Sequence, residues 1–204
     1  MKILCFGDSN TWGHDPVDCS RLERRWPVIL RELLDGCEVI EEGECGRNTM
    51  FGDPALGFKN GLAAFRELLK SGVCADIAIV MLGTNDTLND FDKSPEESAE
   101  AIRLYIREWK AACPGSKFLV ISPIVEREQV LTHEIFGELY SAKSLESSKH
   151  WAPLYAKVAE DEGVDFMDAS QYANASDIDG IHMVPSEHEK LAKAIYAKIK
   201  EMTA

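Results

Sequence analysis

Two separated parts of the sequence carry side chains that could together perform nucleophilic chemistry. Near the N-terminus, Ser9 ends the tripeptide Gly7-Asp8-Ser9 just after an apolar run, so its hydroxyl could stand at the end of a strand. Near the C-terminus, Asp179 and His182 are three residues apart. At this spacing a carboxylate can bind one imidazole nitrogen and leave the other free as a base. A base of this kind can activate a serine hydroxyl for attack on a carbonyl carbon.

Two further motifs could stabilise the negative charge that develops on a reacting carbonyl oxygen. Gly46 lies in a glycine-containing loop, residues 43–49, where a backbone N–H could face the reacting group. Asn85 lies within residues 83–86, and its side-chain amide is a suitable oxyanion donor. Taken alone, each motif is also typical of an ordinary turn, loop or helix cap, and Asp177 is a rival to Asp179 as the acid.

Short apolar runs alternate with helical patterns along the chain. The runs lack polar alternation, which is typical of strands buried on both faces of a parallel sheet. They span residues 3–6, 38–40, 77–82, 118–121 and 164–167. This order predicts an α/β fold, a three-layer α/β/α sandwich around a five-stranded parallel sheet, flavodoxin-like, with strand order 2-1-3-4-5. Ligands bind at the carboxyl ends of such strands, and each motif follows a predicted strand.

The segments between the runs carry helical periodicity. Their apolar stripes predict helices around residues 26–34, 62–69, 102–113, 151–158 and 191–202. The third helix has a clear start, because Ser94-Pro95-Glu96-Glu97 combines an N-cap serine, a proline at the first helical position and a capping-box glutamate. Pro153 inside the fourth predicts a late start or a kink.

Length, charge and cysteine usage limit the class of protein. A chain of 204 residues predicts one domain, residues 1–204. The formal net charge of −13 disfavours nucleic acid and anionic membrane surfaces as partners, and no apolar stretch has the length of a transmembrane helix. We expect the N-terminus to be a strand rather than a signal peptide. Six cysteines without metal-binding spacing predict free thiols in a reducing cytoplasm.

The four motifs, taken in order, resemble the sequence blocks of the SGNH/GDSL hydrolase superfamily. The matching residues are Gly7-Asp8-Ser9, Gly46, Gly83-Thr84-Asn85-Asp86 and Asp179-Gly180-Ile181-His182. The chain is most similar to the arylesterase/acyltransferase branch, through residues 5–13, 39–43 and 81–87. The resemblance implies a serine esterase that acts on small-molecule, short-chain (acetyl-type) esters through an acyl-enzyme, with acyl transfer to alcohols as a further option. It implies no cofactor and no metal.

The resemblance also implies roles for individual residues. Ser9 is expected to be the nucleophile, His182 the base and Asp179 the acid that orients the base. The Ser9 N–H, the Gly46 N–H and the Asn85 side-chain amide are expected to form the oxyanion hole. From its position just after the nucleophile turn, Trp12 is expected to bind substrate by walling the acyl pocket and limiting chain length.

Other functions compete with this interpretation. Within the same superfamily, a carbohydrate acetyl esterase and a lysophospholipase-type lipase are alternatives. A metal-dependent phosphoesterase is disfavoured because none of the five histidines has the D-x-H spacing of a dinuclear site. A nucleotide-binding module is disfavoured because Gly7 and Gly13 are too far apart to form a phosphate-binding loop after the first strand.

A few remaining features carry open expectations. Asp8 is expected to hydrogen-bond nearby backbone, and Arg47 either to reach the crevice or to pair with a surface acid. His188 is expected to be solvated on the last helix. Segments 11–25 and 123–150 are the two long connections that flank the crevice, and they should decide acyl and alcohol preference. The apolar side chains of segment 123–150 predict an apolar lid helix or a contact in a homo-oligomer: Phe136, Leu139 and Tyr140.

Overall fold

A five-stranded parallel sheet forms the middle layer of the structure, a computed structural model that describes residues 1–204. The strands of the chain are β1 (Lys2–Gly7), β2 (Glu38–Gly43), β3 (Arg47–Asn48), β4 (Lys59–Asn60), β5 (Ile77–Met81), β6 (Lys117–Ser122) and β7 (Asp165–Asp168). The main sheet has the order β2-β1-β5-β6-β7, and every pairing in it is parallel. Counted over these five strands, the order is the predicted 2-1-3-4-5. The short parallel pair β3–β4 was not predicted.

Helices cover both faces of the sheet. They are α1 (Ser9–Trp12), α2 (Trp26–Leu33), α3 (Gly61–Lys70), α4 (Pro95–Ala112), α5 (Ala142–Ser148), α6 (Trp151–Glu162) and α7 (Pro185–Thr203). Apolar residues of α2 and α7 pack on one face, and those of α3, α4 and α6 pack on the other. The predicted α/β/α sandwich is confirmed.

Successive side chains of β1 point to opposite faces of the sheet, so this one strand contributes to both cores. Ile3 and Cys5 point into the core shared with α2 and α7. Leu4 and Phe6 point into the core shared with α3, α4 and α6. All four side chains are almost completely buried, which explains why the sequence of β1 is apolar at every position rather than at alternate ones. The strand is thereby fixed in position, and with it the turn that follows at the sheet's carboxyl edge.

Local signals set the starts of two helices. The predicted capping box at Ser94 is present, since its hydroxyl accepts from the Glu97 N–H while the Glu97 carboxylate accepts from the Ser94 N–H. Helix α6 begins at Trp151, so Pro153 occupies its third position. An N–H at that position has no partner within the helix, so a proline is tolerated there.

Two expectations about the rest of the chain are corrected. Cys74 and Cys113 form a disulfide that joins the loop before β5 to the end of α4, whereas the other four cysteines are free. Residues 133–140 form turns rather than a lid helix. None of the helices combines the length and the apolar composition that a membrane span requires.

Candidate active site

The turn after β1 presents Ser9 at the carboxyl edge of the sheet. Asp8 caps the one-turn helix α1, and its Oδ1 accepts from the Asn10 N–H at 2.9 Å, as expected for this residue. Gly7 is required by close approach, because a Cβ at this position would lie 2.7 Å from the Met81 carbonyl oxygen. The strand and the turn can pack closely only without a side chain there, and this packing fixes where Ser9 stands.

Ser9, His182 and Asp179 form a continuous hydrogen-bonded chain. The Ser9 hydroxyl lies 2.9 Å from His182 Nε2, and His182 Nδ1 lies 2.6 Å from Asp179 Oδ2. All three residues are buried. A carboxylate on Nδ1 holds the imidazole with Nε2 free to accept the serine proton. Asp177, the rival acid, is exposed and pairs with Arg127.

A tight turn holds the acid in place. Asp179 Oδ1 accepts from the Ser176 hydroxyl at 2.8 Å and from the Ile181 and His182 N–H groups at 3.1 and 3.0 Å. Burial raises the pKa of Asp179, but the hydrogen bonds and charge of His182 and the backbone donors outweigh it and lower that pKa to about 2. Gly180 has φ +76°, and a Cβ there would lie 2.5 Å from the Val130 nitrogen. The carboxylate is therefore ionised and fixed in orientation.

Asn10 links the two halves of this chain, a role that sequence reasoning missed. Its Nδ2 donates to the Ile181 carbonyl at 2.9 Å, and its Oδ1 accepts from the Met183 N–H at 3.1 Å. One amide therefore clamps the nucleophile turn to the backbone on both sides of His182. The sequence shows only that an amide side chain follows Ser9. The backbone groups that this amide binds lie about 170 residues further along the chain.

The expected oxyanion donors lie beside Ser9. Ser9, Gly46 and Asn85 line one cavity. The Asn85 amide donates to the Arg47 carbonyl at 3.1 Å, and its backbone carbonyl accepts from Asn48 at 2.7 Å. A side-chain amide has two N–H donors, so one can fix the orientation while the second serves a ligand.

Asp86 joins the loop of Asn85 to the loop of Gly46. Its carboxylate accepts from the Thr49 N–H at 2.8 Å, the Thr49 hydroxyl at 2.7 Å and the Ser98 hydroxyl at 2.6 Å. Burial raises the pKa of Asp86 to about 6, although these hydrogen bonds act in the opposite direction. Buried polar contacts thus tie together the two loops that carry Asn85 and Gly46, two of the expected oxyanion donors.

The cavity at Ser9 is small and largely apolar. Its volume is about 140 Å³, below the roughly 300–1,000 Å³ of most small-molecule sites. Besides the triad and oxyanion residues, its lining comprises His14, Cys45, Phe58, Leu88, Phe136, Leu139, Tyr140 and Ile181. Trp12 is not part of this lining, and its ring instead lies beside the Arg21 guanidinium, 5.3 Å from the ring centroid. The expectation that Trp12 walls the pocket is therefore wrong.

His14 is the wall residue that the sequence did not reveal. Its ring stacks on His182, with centroids 4.0 Å apart and planes tilted by 31°, and Phe136 packs 6.2 Å from it. Burial and then the neighbouring His182 lower the pKa of His14 to about 4, so at neutral pH this ring is uncharged. The sequence predicts that segment 11–25 flanks the crevice, but no signal within that segment singles out His14.

His14, Asp179 and His182 have ligand atoms within 4.8 Å of one another, the spacing of a metal site. However, Asp179 Oδ2 and both nitrogens of His182 are already engaged in the hydrogen-bonded chain. These residues fit acid–base chemistry better than metal coordination.

His188 lies in the interior, and the expectation that it is solvated is wrong. It is fully buried, and its Nδ1 accepts from the Trp26 N–H at 3.3 Å. Arg25, the residue before α2, supplies no side-chain cap, so His188 takes that place from α7. Burial lowers the pKa of His188 to about 3, which keeps the ring neutral as this acceptor role requires.

Comparisons with known proteins agree with the fold. A profile of the GDSL-like Lipase/Acylhydrolase family matches residues 5–189. No curated protein matches the chain.

Solved structures are similar over nearly the whole chain. A carbohydrate acetylesterase family member from Sinorhizobium meliloti has a TM-score of 0.89 at 27% identity, covering 98% of each chain. The inhibitor-bound M. smegmatis aryl esterase has a TM-score of 0.89 at 29% identity, also covering 98% of each chain. Est24, a carbohydrate acetylesterase from Sinorhizobium meliloti, has a TM-score of 0.87 at 31% identity, covering 98% of this chain and 99% of the other.

Proposed function

We propose a reaction for this chain, which belongs to the GDSL-like lipase/acylhydrolase family and is a carboxylic ester hydrolase. The chain acts on esters of short acyl groups, acetyl above all, through an acyl-enzyme on Ser9. The observation that carries the proposal is the unbroken chain Ser9–His182–Asp179, with separations of 2.9 and 2.6 Å, at the edge of a small cavity. A serine on its own is a weak nucleophile, and this arrangement supplies the base that it needs.

The reaction proceeds in two halves. Ser9 Oγ attacks the ester carbonyl carbon while its proton passes to His182 Nε2, and the resulting imidazolium is stabilised by the Asp179 carboxylate. When the tetrahedral intermediate collapses, the C–O bond to the alcohol breaks and His182 returns the proton to the leaving oxygen. Water then attacks the acyl-enzyme by the same proton path, releasing the acid and free Ser9. An alcohol bound in place of water would give acyl transfer instead.

The negative charge of the tetrahedral intermediate needs donors that are already in position. The Ser9 N–H, the Gly46 N–H and the free N–H of the Asn85 amide supply them. Their loops are held by Asp8, Asp86 and the main sheet, so little reorganisation is required as charge develops. Stabilisation of this type is often the largest single contribution to such catalysis.

The size and lining of the cavity support a short acyl group. A dry cavity of about 150 Å³ holds a molecule the size of benzene, so about 140 Å³ has room for acetyl but not for an extended octanoyl chain. Each methylene normally gains about 0.8 kcal/mol on burial, but here added methylenes meet Phe136 and His14. No lysine, arginine, aspartate or glutamate lines the cavity, which favours neutral aryl or alkyl esters.

Carbohydrate acetyl esters are the second candidate. Two similar structures are named as carbohydrate acetylesterases, and an acetyl group on a sugar would fit the same small cavity. The two candidate functions are distinguished by comparing kcat/KM for p-nitrophenyl acetate with kcat/KM for a fully acetylated monosaccharide. The apolar lining predicts higher kcat/KM for the aryl ester.

The test of the proposal is an ester panel from acetate to octanoate, run on wild type and Ser9→Ala. We expect kcat/KM to fall with acyl length and Ser9→Ala to lose about 10³-fold or more of kcat, by analogy with triad knockouts. Ser186→Ala is the matched control, since Ser186 is exposed on the first turn of α7. Near-wild-type hydrolysis by Ser9→Ala would contradict the proposal.

A further inference from the structure

Arg47 is the only lysine or arginine that the structure buries. Its exposed fraction is 4%, and its guanidinium lies 4.2 Å from the centroid of the Phe6 ring. Glu44 pairs with one end of the guanidinium at 3.1 Å, but the Nε donor has no partner. Burying a cation with an unpaired donor costs stability. The acid–base chain does not use this charge, so the residue calls for another explanation.

The guanidinium joins the carboxyl ends of two neighbouring strands. Arg47 Nη1 donates to the Gly7 carbonyl at 2.9 Å and also to the Glu42 carbonyl. Gly7 ends β1 two residues before Ser9, and Glu42 lies at the end of β2 before the loop that carries Gly46. The planar guanidinium of Arg47 therefore sets the spacing between the backbone segment that leads to the Ser9 N–H and the segment that leads to the Gly46 N–H.

The backbone of the same residue reaches the third donor. The Arg47 carbonyl accepts from the Asn85 amide at 3.1 Å, and Arg47 directly follows Gly46 in the chain. Arg47 is thus connected to the carriers of all three oxyanion donors, through its side chain to Gly7, by a peptide bond to Gly46 and through its carbonyl to Asn85.

We propose that Arg47 is a positioning residue for the oxyanion hole, holding the Ser9 and Gly46 N–H groups and the Asn85 amide at the spacing that a tetrahedral intermediate requires. This inference rests on the proposed function. A donor contributes only where the oxyanion will form, and a misplacement of about 1 Å can cost about 10²-fold in rate. The imperfectly paired cation is then explained by geometry at the site rather than by stability.

Two variants separate charge from geometry. Arg47→Lys keeps the positive charge but loses the planar fork that binds two carbonyls and a carboxylate together. Arg47→Met keeps much of the length and apolar contact with Phe6 but removes every donor. We expect kcat to fall about 10-fold in Arg47→Lys and about 100-fold in Arg47→Met, with KM changed less than about 3-fold, because the substrate binds before the oxyanion forms.

Arg103→Lys is the matched control. Arg103 is partly buried and binds several acids, Glu100, Asp161 and Glu162, but it lies between α4 and α6 and contacts none of the oxyanion loops. It should keep wild-type kcat.

The decisive readout is affinity for a boronic acid, which forms a tetrahedral adduct with the serine. Its inhibition constant should rise across the Arg47 variants in parallel with the loss of kcat/KM, while inhibition by the product alcohol stays unchanged. All rates are expressed per active site, counted by titration with a p-nitrophenyl phosphonate, so that a partly unfolded variant is not mistaken for a slow one.

The outcomes are distinct. Arg47 variants with wild-type kcat per titrated site and wild-type boronic acid affinity would overturn the inference, even if their melting temperatures fall, because that result describes a purely structural residue. If the wild type hydrolyses no ester and its Ser9 is not labelled, the proposed function fails and the inference falls with it. Parallel loss of kcat and boronic acid affinity supports it.

Discussion

Asp86 lies in the turn formed by residues 84–87, and Glu126 contacts that turn through Thr87. Both are buried acids, yet their surroundings differ. Asp86 accepts from Thr49 and Ser98 through three donors, and burial raises its pKa only to about 6. Glu126 accepts one side-chain hydrogen bond, from the Thr87 hydroxyl at 3.0 Å, and its second oxygen has no partner. Burial raises its pKa to about 8. Two equally buried carboxyl groups therefore have different pKa values because they accept different numbers of hydrogen bonds.

The same contrast extends to two regions around the cavity. The catalytic edge, defined here as residues 7–10, 46–49, 84–86 and 176–183, is held by directional hydrogen bonds between buried polar groups. The pocket wall, residues 126–148, contributes apolar side chains to a small cluster separate from the two main cores. We propose that these hydrogen bonds position the reacting atoms, whereas the apolar contacts set only the size of the cavity. Changes at the edge should affect every ester, and changes in the wall should affect the choice among esters.

The largest expected effect comes from breaking the catalytic edge at its acid. Asp179→Asn should lower kcat by about 10³-fold or more, since an amide can stabilise the wrong imidazole tautomer and carries no charge for the imidazolium. The loss should be equal for acetate and butyrate esters. Asp177→Asn is the control, because Asp177 is two residues away and exposed. A loss that depends on acyl length would place Asp179 in the pocket rather than in the chemistry.

Removing an oxyanion donor should come next. Asn85→Ala should reduce kcat by about 10²–10³-fold with little change in KM, as for other single oxyanion-hole donors. Asn89→Ala is a suitable comparison, since Asn89 uses its amide on the Glu138 carbonyl outside this cavity. Equal kcat values for the two variants would show that the Asn85 amide does not reach the oxyanion.

The extent to which the fold and the candidate site could be predicted from the sequence differs from one part of the molecule to another. The sheet order followed from the apolar runs, because each run needs only its own residues to predict a strand. Ser9, Asp179 and His182, which the structure brings together, were singled out by short motifs and by the family resemblance that those motifs carry. Errors arose where distant segments meet. His14 replaces Trp12 in the cavity because the loop turns back at Gly13, which has φ +90°. His188 is buried because it caps α2, and Cys74 reaches Cys113 because α4 ends beside β5.

A smaller effect is expected from opening the pocket wall. Phe136→Ala should enlarge the cavity and raise the ratio of octanoate to acetate kcat/KM about 10-fold, while acetate hydrolysis changes little. Phe91→Ala is the control, since Phe91 belongs to the same apolar cluster but does not line the cavity. An unchanged ratio in Phe136→Ala would show that another group limits acyl length.

The smallest effect concerns stability and pH. Glu126 keeps its proton in the folded state up to about pH 8, whereas in the unfolded chain it releases it near 4.5. Its folded pKa is raised, so the stability contributed by the neutral acid is complete below about pH 4.5 and is lost as pH rises through 8. Glu126→Gln cannot ionise, so its stability relative to wild type should improve with pH, by at least ~1 kcal/mol at pH 9, or about 2–4 °C in Tm.

Melting curves at pH 5, 7 and 9 measure this difference. Glu128→Gln, an exposed neighbour, controls for the loss of a carboxylate without burial. Wild-type and Glu126→Gln curves that stay parallel across this pH range would mean that Glu126 is ionised in the folded protein at neutral pH.

The most direct measurement of the central claim is the site of covalent labelling by a p-nitrophenyl phosphonate, whose adduct mimics the tetrahedral intermediate. Activity and the masses of proteolytic peptides are followed together during inactivation, with exposed Ser186 as an internal reference. We predict one adduct per chain, on Ser9, appearing in proportion to the loss of ester hydrolysis and slowed strongly by Asp179→Asn. Complete labelling of Ser9 with activity retained, or inactivation through an adduct on any other residue, would contradict the assignment of the nucleophile.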